Sequence, residues 1–292
     1  MNFPEVDKLY KYQSYNMNSV ASIINNVSWA AKPSTFNDPF DCAVSLIPEI
    51  DQKAMFELIL EEASSNGVEG ISNESIAGYK QHFEKGGFDN LSIDVVERDG
   101  MCQNLSNRFA DLIQDIGVIS LSEVDNHILM WSHYADQHKG FCIEYERTES
   151  NLLGGNSTLP IRYTDKLPVF SLQSIVKSNP QDRKHYIHSL VLSKALEWAY
   201  EREWRYLHTH GNRPVELKAN ISAIIFGARM PVEQRATLAD LVSKYHNSVK
   251  LKQVELKKNG FGLEVVDYIP CSNKAASEPK KRKFEHLLDF DL

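Results

Sequence analysis

Apolar and polar positions along the chain fall into two rhythms. Where every second residue is apolar, aromatic or β-branched, the pattern predicts strands at residues 8–13, 27–31, 118–121, 140–145 and 159–163. Further strands are predicted at 221–226, 249–256 and 263–269. In GFCIEY, residues 140–145, Phe141, Ile143 and Tyr145 share one face and Cys142 and Glu144 the other. ISAIIF, residues 221–226, is apolar enough to predict a buried strand, and Pro231 suits the first turn of a helix reaching about Tyr245. A helical period predicts further helices at 16–26, 52–63, 73–83, 105–116 and 129–134, and a long one at 183–201.

These elements predict an α+β fold: one domain over residues 1–270, with a mixed or split β-sheet core and a helical insertion at about 49–117. Gly67, Gly70, Gly86 and Gly87 punctuate the insertion. KKNGFG at 257–262 predicts a hairpin turn. After Pro270 the composition turns polar, and residues 271–292 are expected to form a mobile tail. Its PKKRK run resembles a nuclear import signal but is read as a solvated segment between acidic residues.

Composition narrows the function classes. The 292 residues carry a formal net charge of −7, so no global basic field points to nucleic acid or to an acidic membrane. Cys42, Cys102, Cys142 and Cys271 lie far apart with no CxxC pair, which predicts reduced thiols and neither a zinc cluster nor a disulfide framework. The start MNFPEVDKLY lacks a basic, apolar leader pattern, and no apolar run reaches membrane-spanning length. The expectation is a cytoplasmic protein.

Candidate chemistry gathers around KALEWAYEREWRYL, residues 194–207. It reads as a helix end through Glu201 running into a strand from Glu203. In an extended chain the carboxylates of Glu201 and Glu203 point to one side, and like charges that close raise one pKa. The plainer alternative is a solvated edge in which Arg202 and Arg205 balance the acids, although the interleaved aromatics favour a partly buried cluster. Three other clusters combine aromatics with hydrogen-bonding groups: LYKY at 9–12, FNDPFD at 36–41 and MWSHYADQHKG at 130–140. Phe36 and Phe40 are expected to pin their loop to the body. Asp38 and Asp41 could bind a metal, or Asp38 could cap turn amides. His133 could act as a base or donor, or simply bond a neighbour while Trp131 and Tyr134 pack as a helical stripe. Cys142, within a strand, reads as core. All four clusters are expected to converge on one site, because sites are usually built on loops and strand ends.

In order, LYKY, FNDPFD, SLSE at 120–123, WSHYADQHKGFCIEY, YEREWRYL and IIFGARM resemble a bacterial family catalogued as domain of unknown function twenty-nine seventy-one, over roughly residues 8–269. A fainter similarity is to mono-ADP-ribosyltransferase-like domains, which split NAD in a cleft between two small sheets. Lys11 or Tyr12 stands where those domains carry Arg or His, no Ser-Thr-Ser strand is evident, and Glu201-Arg202-Glu203 resembles their late Glu-x-Glu signature. This resemblance implies an effector enzyme with NAD as substrate, a protein or nucleic-acid acceptor and no metal, serving as a toxin or in phage defence. Glu203 would stabilise the cationic transition state, Glu201 would activate the acceptor, and Tyr12, Trp29 or Trp131 would stack a ring of NAD. The candidate set is Glu203, Glu201 and His133 for chemistry, and Lys11, Tyr12, Trp29, Phe36, Asn37, Asp38, Trp131, Tyr134 and Arg205 for ligand binding. Two other classes stay open. One is a metal-dependent nuclease using Asp38, Asp41, Glu144 and Glu203 with Lys194 nearby; the other is a non-enzymatic sensor that binds a nucleotide or partner.

Overall fold

The computed structural model describes residues 3–67, 69–86 and 93–270. The expected tail at 271–292, with its PKKRK run and Cys271, lies outside the described residues, as does Gly87. Strand β1 (Lys8–Gln13) leads through helix α1 (Met17–Ile24) to β2 (Ser28–Ala30). A 3-10 turn at Pro33–Thr35 and β3 (Ser45–Ile47) precede α2 (Gln52–Asn66), α3 (Asn73–Glu84) and α4 (Val95–Asp115). Next come β4 (Gly117–Ser122), α5 (Ile128–Tyr134), β5 (Phe141–Glu146), β6 (Thr158–Pro160), β7 (Arg162–Thr164) and β8 (Val169–Ser171). Helices α6 (Leu172–Val176) and α7 (Pro180–Val191) lead to β9 (Ser193–Ala195), a 3-10 segment at Leu196–Glu201, and β10 (Glu203–His208). The chain continues with β11 (Arg213–Val215), β12 (Ile221–Phe226), α8 (Val232–Tyr245), β13 (Lys250–Leu256) and β14 (Leu263–Asp267).

The fold is α+β. Its centre is an eight-stranded mixed sheet in the order β14-β13-β12-β5-β1-β4-β10-β6. β12 and β13 run parallel, and α8 is the crossover that a parallel pair requires. The other pairings in this sheet are antiparallel. One face buries Leu9, Phe141, Ile143, Tyr145, Ile224 and Phe226 against Ile23 of α1 and Leu238 and Val242 of α8. The opposite face buries Tyr12, Cys142, Ile225 and Val254 against Met130 and Trp131 of α5. The split of GFCIEY between two faces follows from strand alternation, as its pattern predicts. Asn16 opens α1 with a capping box, accepting from the Ser19 amide at 2.9 Å while its own amide donates to Ser19 Oγ at 3.0 Å.

One irregularity of the sheet positions the site. β1 pairs with β5 along its whole length, but with β4 only through Tyr10 and Ser122. Beyond that pair the two strands diverge, which opens the sheet between Lys11 and Tyr12 on one side and Ser120 and Leu121 on the other.

Three expectations need correcting. The long helix at 183–201 ends at Val191. Ser193 Oγ turns back to Ser189 O at 2.6 Å, and β9 then pairs in parallel with β7. The apolar run from Leu190 to Leu192 is core in either conformation, so periodicity could not tell a helix from a strand there. The strand expected at 159–163 is two strands. Its chain changes partner at Ile161, whose amide donates to Glu203 O at 2.9 Å, while Arg162 N donates to Leu192 O at 2.8 Å. Phe40 does not pin its loop: it is 64% exposed, whereas Phe36 packs inward. No described helix is long and apolar enough to cross a membrane.

The turn from α5 to β5 is sterically closed. Asp136, Gln137 and His138 all have positive φ, and a Cβ on Gly140 would lie 2.0 Å from Gln13 O. Gly140→Ala is therefore expected to destabilise the protein by about 1–3 kcal/mol, because backbone must move to admit the methyl group. Urea unfolding checks this; a midpoint within error of the parent would refute it.

Candidate functional site

The opened sheet holds a cavity of about 350 Å³ to which all four sequence clusters contribute. β1 supplies Tyr10, Lys11 and Tyr12, and the loop after β2 supplies Thr35, Phe36, Asn37 and Asp41. β4 adds Ser120 and Leu121, α5 adds Met130, His133 and Tyr134, and the segment from β9 to β10 adds Lys194, Glu201 and Glu203.

Glu201 and Glu203 reach one side of the cavity, though not through an extended chain. Glu201 ends a 3-10 segment, Arg202 is left-handed at φ 44°, and Glu203 opens β10. This kink turns Arg202 outward, where it pairs with Glu123, and sends both carboxylates inward to one ammonium. Lys194 Nζ lies 2.5 Å from Glu201 Oε2 and 3.0 Å from Glu203 Oε2. Lys194 reaches this point because β9, unlike a helix, holds it in parallel register with Tyr163 of β7. Tyr163 in turn accepts the Glu203 amide at 2.7 Å through its hydroxyl.

Behind Glu203 stands Arg205, fully buried. Its Nε donates to Glu203 Oε1 at 2.8 Å, and its fork grips Asp41, with Nη1 at 2.8 Å from Oδ1 and Nη2 at 2.5 Å from Oδ2. Nη1 also donates to Val191 O at 2.6 Å, and the guanidinium lies over the Phe36 ring. Three buried carboxylates, Asp41, Glu201 and Glu203, thus face two cations, Lys194 and Arg205.

The two glutamates are driven apart. Burial pushes the Glu203 carboxyl up, but Arg205 and Lys194 outweigh it and hold it down at about 2. Burial and the charge on Glu203 raise Glu201, with Lys194 opposing. Tyr134 donates its hydroxyl to Glu201 Oε1 at 2.6 Å. One carboxylate stays ionised beside one that can hold a proton, the division found in acid–base sites. Across the cavity, Lys11 donates to Ser120 O at 3.2 Å and has no carboxylate within ion-pair distance among the described residues. Burial lowers its pKa to about 8, only partly offset by Glu203.

The lysine shift sets a pH trend. A folded pKa of about 8 lies below the ordinary 10.5, so the unfolded chain binds more protons between these values. The Lys11 contribution should therefore raise stability as pH climbs from 8 to 10.5. Lys11→Met should flatten that part of the profile in chemical denaturation; an unchanged slope would show that the ammonium is solvated.

Of the candidate residues, Glu203, Glu201, His133, Lys11, Tyr12, Phe36, Asn37 and Tyr134 line the cavity. Four do not. Trp131 is fully buried behind it, donating to Asp125 O at 2.7 Å and meeting Tyr12 edge to face. Asp38 caps the Phe40 amide at 2.9 Å, which is turn chemistry. Arg205 is spent on Asp41 and Glu203. Trp29 projects from β2 into solvent, 52% exposed and outside the cavity lining. The nuclease ligand set is not gathered either. Glu144 lies in a separate cluster with Lys8 at 2.7 Å and Lys252 at 2.8 Å. Among the described residues no group of three or more His, Cys, Asp or Glu is placed to hold a metal ion.

Lys194 and Asp41 are central to the charge cluster; the sequence reading places Asp41 only among possible metal ligands, and Lys194 near those ligands or as one of three cations that could pair with Glu203. The signal for Asp41 was its place beside Phe36 in FNDPFD. For Lys194 the signal was its charge close in sequence to Glu203, although the helical reading puts it on the wrong element. No curated protein and no solved structure matches the chain. Residues 130–206, which carry the α5–β5 segment and the Glu201–Glu203 kink, match a family model described as a protein of unknown function (DUF2971).

Proposed function

We propose that the protein is an enzyme acting on a nucleotide-sized substrate in this cavity, and that the reaction is NAD-dependent ADP-ribosyl transfer. The observation that carries the reading is the pairing of a split carboxylate pair, Glu201 and Glu203, with walls from Tyr10, Tyr12, Phe36 and Tyr134 in one cavity of about 350 Å³. Aromatic walls suit a planar ring, and a fixed, ionised carboxylate at Glu203 favours a developing cation. In the reaction, the bond from ribose C1′ to the nicotinamide nitrogen breaks and its electron pair leaves with nicotinamide. As that bond breaks, the acceptor nucleophile, water where no other is present, bonds C1′ and passes its proton to ionised Glu201. The geometry favours Glu201 over Glu203 for that step, because Arg205 and Lys194 together hold Glu203 ionised through three hydrogen bonds, whereas Glu201 faces Lys194 alone and the neutral Tyr134 hydroxyl. A role as a bacterial toxin or phage-defence effector rests on the sequence resemblance alone.

The test is nicotinamide release from NAD by the purified protein, with Glu201→Gln as control. Release that the substitution abolishes supports the reading; neither release nor calorimetric binding of NAD would overturn it. The self-satisfied Glu203–Arg205–Asp41 cluster favours a second reading, in which the cavity binds a nucleotide without turnover. Saturable binding with no product marks that case.

A further inference from the structure

Trp29, displaced from the cavity, belongs to a second concavity. β2 alternates so that Ser28 and Ala30 are buried while Trp29 faces outward, opposite Pro214 of β11. There Trp29 lines a groove of about 560 Å³ together with Gln13, Asn18, Ser22, Asn25 and Pro214. That size falls within the range of small-ligand sites, roughly 300–1,000 Å³.

The lining has an unusual chemistry. None of the described residues that line it carries a charge. The amides of Asn16 and the hydroxyl of Ser19 are spent on the start of α1. The side-chain amides of Gln13, Asn18 and Asn25 and the indole N–H of Trp29, by contrast, have no hydrogen-bond partner among the described residues. Each free amide offers one acceptor and two donors. The groove therefore presents one exposed aromatic face surrounded by neutral groups that both donate and accept.

We propose that this groove binds a neutral carbohydrate. A pyranose ring has a face of C–H groups that packs on the electron-rich face of an indole, and a rim of hydroxyls that each donate and accept. Side-chain amides match such a rim without paying to desolvate a charge. Single-stranded nucleic acid would require cations along the groove, and the described lining residues include none. A proline-rich peptide would require a groove walled by several aromatics, and Trp29 is the only one among the described lining residues. The proposal is independent of the chemistry in the main cavity.

The experiment titrates the intact protein with maltohexaose, cellohexaose and chitohexaose by calorimetry. At least one should bind saturably, with an affinity unchanged between low and high salt because the ligand is neutral. Trp29→Ala should weaken that binding about tenfold or more, as loss of an aromatic anchor does, while Trp29→Phe retains most of it. Asn25→Ala should weaken it by a smaller factor. Circular dichroism melts establish that each variant is folded; since Trp29 is exposed, none should melt early. The proposal is overturned if none of the three sugars binds, if binding survives Trp29→Ala, or if a single-stranded oligonucleotide or polyproline peptide binds with Trp29 dependence in their place.

Discussion

Arg205→Ala is expected to cost the folded state about 3–5 kcal/mol, the largest stability effect anticipated for a single side chain here. Arg205 is fully buried and holds two carboxylates, Asp41 and Glu203, in addition to the Val191 carbonyl. Removing it leaves both acids buried with only Lys194 between them, at 3.6 Å from Asp41 and 3.0 Å from Glu203. Three acids facing one cation cannot all stay ionised, so the variant must take up protons or let water in. It also opens a void under Phe36, which packs against the guanidinium. Equilibrium urea unfolding measures the loss. A change below about 1 kcal/mol would mean that the cluster relaxes freely, as surface pairs do.

The second large effect separates the two glutamates. Glu203→Gln should destabilise the protein, because it strands part of the buried charge on Arg205 and Lys194. Glu201→Gln should be far milder for the fold: Tyr134 can still donate to the new amide oxygen, and Lys194 keeps Glu203 and Asp41. Under the proposed reaction it should nevertheless lower nicotinamide release about a hundredfold, near 3 kcal/mol of barrier. This reverses the emphasis read from the sequence, where Glu203 carried the essential charge. The pH dependence follows from the sign of the shift. Glu203 has its folded pKa at about 2, below its ordinary 4.5. Its stabilisation is therefore present above pH 4.5 and lost as pH falls toward 2. Melting both variants while assaying release separates the cases. A stable, inactive Glu203→Gln variant would restore the sequence reading, and a fully active Glu201→Gln variant would remove Glu201 from the chemistry.

By itself, the sequence determined most local structure and which four short segments meet at the cavity. Alternation in GFCIEY and the apolar composition of ISAIIF mark two adjacent strands of the central sheet, and KLYKYQ marks the third beside them, because burial on one face of a pleated sheet imposes a period of two and burial on both faces an apolar run. The four aromatic and polar clusters could be picked out because charged and hydrogen-bonding groups beside large apolar rings need partners when buried. Tertiary structure alone decided how those groups are used. Whether residues 192–201 continue a helix depends on β7, some thirty residues earlier, because β9 pairs with it. That pairing brings Lys194 to the glutamates. The left-handed turn at Arg202, which aims both carboxylates inward, joins the 3-10 segment Leu196–Glu201 to β10 and has no local sequence signal. Asp41, 164 residues from Arg205, neutralises it only in the folded chain. Charge pairing is a matter of distance in space, and sequence spacing carries that information only within a single helix or strand.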